Sequence, residues 1–96
     1  MTHPEGTTIA RITALAQSFP SIADVQAVND WDALALDRWA GSASHGERLA
    51  IQFVLSVWDC HEKWSCGTFN PVEAYRTWDD EHWTAFQRWV EAPYTL

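Results

Sequence analysis

Residues 44–64 read SHGERLAIQFVLSVWDCHEKW, and the fold turns on how this stretch is read. His45, Arg48, Gln52, Ser56, Asp59 and Lys63 recur at spacings of three and four. In a helix these positions share one narrow stripe, while Leu49, Ile51, Phe53, Val54, Leu55, Val57 and Trp58 cover the rest of the circumference. A helix apolar on nearly every side is one surrounded by protein. Ser44 and Glu47 have the spacing of a capping box, in which each side chain accepts from the other residue's unpaired backbone N–H, so the helix starts there. A parallel strand buried on both faces also reads as an apolar run, but this pattern is too long and keeps its polar residues on a helical period. The spacing predicts a buried helix over about residues 45–63, with the remainder packed around it.

Towards the N-terminus, residues 1–6 hold Pro4 and Gly6 and no periodicity, the pattern of a frayed lead-in. Thr7 or Thr8 is the expected N-cap of a first helix whose stripe is Ile9, Ile12, Leu15, Ala16 and Phe19, with Pro20 as its stop. Ser21 is the expected cap of a second, short helix carrying Ile22, Val25 and Val28. Asp30 is the expected cap of a third helix, running to Ala40 with Trp31, Leu34, Ala35 and Trp39 inward and Gly41 as a left-handed exit.

Towards the C-terminus, Gly67 permits a left-handed turn, and Asn70 followed by Pro71 marks a helix start. Val72, Tyr75 and Trp78 are its apolar stripe. Asp79, Asp80 and Glu81 suit the positive N-terminus of a last helix, with Trp83, Phe86, Trp89 and Val90 inward and Pro93 as its stop. No segment alternates with a period of two or carries the turns of a hairpin. The expectation is a single all-α domain over residues 1–96, built from five or six short helices, with residues 94–96 frayed.

Composition narrows the function. Thirteen acidic side chains face six basic ones, a formal charge of -7, and such a field repels phosphate backbones and draws cationic partners. Direct nucleic-acid binding is disfavoured. No apolar run approaches the roughly 18 residues that cross a bilayer, and MTHPEGTT lacks the basic-then-apolar pattern of a secretory signal, so a cytoplasmic protein without membrane attachment is expected. Cys60 and Cys66 then read as reduced thiols.

Cys60, His61, Cys66 and His82 are potential zinc ligands, but five residues separate the cysteines where structural sites usually place two to four. We expect no metal, two buried or half-buried thiols and two surface histidines. Cys60 and His61 are adjacent, so on a helix they point about 100° apart and make a poor nucleophile and base. The paired carboxylates lie at helix ends, where capping explains them. No phosphate loop, HExxH helix, GxSxG elbow or EF-hand loop occurs. The sequence thus names no catalytic residue and no cofactor, and enzyme is the less favoured class.

What remains is seven tryptophans in 96 residues. Trp31, Trp39, Trp58, Trp78, Trp83 and Trp89 match the apolar phase of their helices, yet a core this small seldom encloses so many indoles, so one or two should reach the surface. Exposed aromatics beside charges make interface anchors. The leading expectation is a module that binds a protein with a basic surface, through Tyr75, Trp78, Asp79, Asp80, Glu81 and Trp83. One alternative is a nucleic-acid mimic that inhibits a basic nucleic-acid-handling protein. The other is a small enzyme or ligand binder with a pocket along His45, Arg48, Gln52 and Ser56.

Overall fold

In the computed structural model, which describes residues 6–96, the chain is all-helical, with no strand among the described residues. The expected lead-in over residues 1–6 lies outside them except for Gly6, which opens α1 (Gly6–Gln17). There follow α2 (Gln26–Asn29), α3 (Ala33–Trp39), a 3₁₀ turn over Ala40–Ser42, α4 (His45–Trp58), α5 (Pro71–Thr77) and α6 (Asp80–Glu91). The Cα radius of gyration is 12.3 Å, close to the ~12.5 Å expected of a globule of this length.

Helix α4 contributes Leu49, Ala50, Ile51, Phe53, Val54, Leu55 and Val57 to the core and packs against α1, α3, α5 and the 3₁₀ turn. Its capping box forms as the spacing requires: Glu47 N–H donates to Ser44 Oγ at 3.2 Å, and Ser44 N–H to Glu47 Oε1 at 2.8 Å. Ser44→Ala removes one acceptor and should destabilise the fold by about 1 kcal/mol, measured by urea denaturation. Asn70 likewise caps α5 ahead of Pro71, Asp79 caps α6, and Gly67 takes the one positive φ among the described residues, 95°.

Other boundaries differ from expectation for identifiable local reasons. α4 ends at Trp58, short of residue 63, because Asp59 turns extended and its carboxylate accepts from His61 N–H at 3.0 Å. An aspartate that bonds to a backbone N–H two residues on offers the chain a turn in place of another helical turn. Asp32, not Asp30, caps α3 by accepting from Ala35 N–H at 3.0 Å. Ser21 caps no helix, since residues 18–24 form successive turns and α2 is a single helical turn after Val25. Gly41 lies in the 3₁₀ turn and makes no left-handed exit.

Facing differs too, mostly on helices of about two turns. On α3 Leu36 and Asp37 point inward while Leu34 is 63% exposed. On α5 Ala74 is buried, and Val72 and Tyr75 are 68% and 70% exposed. Ile9 and Val90 also reach solvent. A two-turn helix is oriented by the contacts that fit beside it, and a small Ala74 lets α5 lie close on α4. All seven tryptophans are half-buried, Trp58 included, and the exposed aromatic is Tyr75.

Candidate functional site

The C-terminal third places the expected interface residues unevenly. Tyr75 stands out from α5, and its ring meets Trp83 of α6 edge-on at 5.3 Å between centroids. Trp83 is half-buried and leans on Phe86 at 5.2 Å. Trp78 lies further in: its indole N–H donates to Gly46 O at 3.0 Å, and its ring stacks on Phe69 at 5.6 Å. Of the expected set, then, Tyr75 faces outward, Trp83 backs it, and Trp78 pins α5 to the start of α4; Val72, outside that set, is exposed one turn before Tyr75. Asp79, Asp80 and Glu81 are exposed at the break between α5 and α6.

The polar stripe of α4 is occupied by the chain's own backbone. Arg48 Nε donates to Ala40 O at 3.3 Å, Gln52 Nε2 to Cys66 O at 2.6 Å, and Ser56 Oγ to Gln52 O at 2.7 Å, while His45 is exposed. Arg48 does border a cavity of about 240 Å³ together with Asp37 and Cys66. Asp37, 8% exposed, accepts from the N–H groups of Ser65 and Cys66, both at 2.9 Å. Burial alone would raise its pKa, but these backbone hydrogen bonds outweigh it and hold the carboxyl below 3.8. Burial, and then the nearby Asp37 carboxylate, push the Cys66 thiol up to about 12, so it carries little thiolate at neutral pH. Cys60 is exposed rather than half-buried. The four potential zinc ligands do not gather, and no cluster of three or more His, Cys, Asp or Glu side chains suited to an ion forms among the described residues.

His82 overturns its expected surface position: it is 7% exposed and joins two distant parts of the chain. Its Nδ1 lies 2.7 Å from Asp79 Oδ1, and its Nε2 lies 2.7 Å from Ser21 Oγ. Ser21 N–H also donates to Nε2, at 3.2 Å. A backbone N–H can only donate, so Nε2 is the unprotonated nitrogen and Nδ1–H donates to Asp79. Asp79 serves twice, because His82 N–H also donates to its Oδ1 at 3.0 Å. That backbone bond, then the bond from the ring, lower the Asp79 pKa. Local sequence holds half of this signal, since a capping aspartate three residues before a histidine puts both on the first turn. Ser21, 61 residues away, carries none.

A cavity of about 750 Å³ opens between the Pro20–Ala27 segment and α3. Ser21, Asp24, Asp30, Asp32 and Trp39 are among its walls, and no basic side chain among the described residues is. Comparison of the chain with protein-family models, with curated proteins and with solved structures finds no match.

Proposed function

We propose that this protein acts by binding another protein, using the surface formed by Val72, Tyr75 and Trp83 with its acidic edge at Asp79, Asp80 and Glu81. The supporting observation is the exposure of Val72 and Tyr75, 68% and 70%. They stand three residues apart on a helix and therefore side by side. A large, stiff aromatic backed by a second ring buries much area at small entropic loss, which suits an anchor. The carboxylates at the edge and the net charge of -7 favour a partner with a basic surface, and they act mainly on the rate of encounter.

The test is capture from the native cell extract at low salt, followed by kinetics on the basic partner recovered. Replacing Asp80 and Glu81 with Lys should lower the melting temperature by several degrees, since both acids sit in the positive first turn of α6, and slow association by about tenfold or more, a difference that physiological salt reduces. Tyr75→Ala should chiefly speed dissociation. Full binding by both variants at low salt would remove this surface from the function.

A further inference from the structure

We infer that Ser21, His82 and Asp79 form a nucleophilic site opening into the acidic cavity, and that its substrate is an acyl ester bearing a cationic group. The inference rests on geometry that shares only Asp79 with the proposed protein-binding surface. Hydrogen bonds of 2.7 Å join Ser21 Oγ to His82 Nε2 and His82 Nδ1 to Asp79 Oδ1. Ser21 N–H, donating to Nε2 at 3.2 Å, fixes the tautomer with Nε2 free of hydrogen. This is the state a general base needs, with the serine hydroxyl donating to Nε2 and the carboxylate holding the opposite N–H. The imidazole is buried while Ser21 is exposed and lines the cavity. The base is thereby kept from water and the nucleophile presented to a ligand.

In the reaction, Ser21 Oγ bonds to the ester carbonyl carbon as its proton passes to His82 Nε2. The resulting tetrahedral adduct collapses by breaking the bond to the alkoxy oxygen, which leaves as the alcohol with that proton. Water then repeats the sequence on the acyl-serine, releasing the carboxylic acid and restoring the hydroxyl. Within the same turn Ile22 N–H is taken by Phe19 O and Val25 N–H by Ile22 O. Asp24 lines the cavity, and its N–H, which meets no acceptor among the described residues, is the donor available to the oxyanion. Asp79 is a positioning residue, acting through the ring.

The substrate class follows from the cavity walls. At about 750 Å³ the cavity is of a size that holds a small organic molecule. Asp24, Asp30 and Asp32 give it negative charge, and the Trp39 indole offers a surface for an ammonium group. An anionic acyl group would be repelled.

The experiment is reaction of the intact protein with a biotinylated fluorophosphonate, in which the Ser21 oxygen bonds to phosphorus, fluoride leaves, and His82 takes the proton. Mass spectrometry should place the adduct on Ser21, with no adduct in Ser21→Ala. His82→Gln should slow labelling by about 10²-fold or more. Asp79→Asn caps a helix as well as aspartate does, so the fold stays intact. It should lower kcat on a choline acetyl ester with KM unchanged, which loss of a merely structural bond would not do. The wild type should hydrolyse that ester with kcat/KM about tenfold above its uncharged carbon isostere, and Asp24→Asn should narrow the gap. No labelling of the wild type, an adduct elsewhere, or labelling indifferent to His82→Gln overturns the site. Equal rates on the two esters overturn the substrate class.

Discussion

Phe53→Ala is expected to destabilise the protein by about 3 to 5 kcal/mol, the usual range for deleting a buried aromatic ring. Phe53 is 4% exposed on α4 and meets the rings of Phe19, Phe69, Phe86 and Trp89 at centroid distances of 5.7, 5.3, 5.1 and 5.2 Å. Two of the four contacts are near-perpendicular, at interplanar angles of 83° and 82°, an arrangement favourable beyond area alone. Those four rings come from the turn after α1, the segment before α5, and α6, so they cannot all collapse into the vacated space. Native stability is typically only about 5–15 kcal/mol, and the variant would lose a large share of it. Urea denaturation checks the figure. Leu34→Ala, at a side chain 63% exposed, serves as the control and should change stability by less than about 0.5 kcal/mol. A Phe53 variant within 1 kcal/mol of wild type, on the scale of ordinary surface changes, would contradict this account of the core.

Asp37→Ala is expected to remove about 2 to 3 kcal/mol, the scale of losing a charged acceptor and orphaning its donors. Its carboxylate is the acceptor for two consecutive backbone N–H groups in the segment that follows α4. Without it Ser65 and Cys66 must find water, and the segment that covers Gln52 loosens. Asp37→Asn keeps one acceptor oxygen and should lose less. The pH dependence has a definite sign. The folded protein holds this carboxyl below the ordinary value of 3.8, so ionisation favours folding. The contribution is complete above the unfolded-state pKa and disappears as pH falls through the folded-state value. Acid titration of stability should therefore show a steeper loss below about pH 4 for wild type than for Asp37→Asn.

The sequence was most legible where a residue acts on its immediate neighbours. Ser44 with Glu47, Asn70 with Pro71, Asp79 and Gly67 all do so, because a cap or a left-handed turn involves groups within three residues. The apolar run of α4 was legible because fourteen residues give a period time to declare itself. Facing on α3 and α5 was not, since seven residues in each barely complete two turns. Leu34 and Tyr75 fitted an inward stripe that Leu36 and Ala74 occupy instead. Least legible were the bonds between distant residues. Nothing near Asp37 in the sequence marks it as the anchor for Ser65 and Cys66, which lie 28 and 29 residues further on. His82 looked like a surface histidine because its partner on the other side of the ring, Ser21, is brought there only by the complete fold. Among the residues expected to bind, the sequence did not separate outward from inward side chains: Tyr75 is exposed, whereas Trp78 turns inward and bonds to Gly46 O.

The rings around Phe53 also bear on the order in which a ribosome delivers the parts. α1 and α4 can meet while the rest of the chain is still being made, but Phe86 and Trp89 follow Phe53 by more than thirty residues. The ties that close the fold lie further on: Arg11 against the Tyr94 ring at 4.0 Å, and Leu96 N–H to Val57 O at 3.0 Å. At about 5–20 residues per second, the Phe53 side of α4 waits roughly two to eight seconds for its covering. During that interval the nascent chain presents a sticky aromatic face to whatever stands near the exit tunnel, and a holding chaperone has its natural moment there.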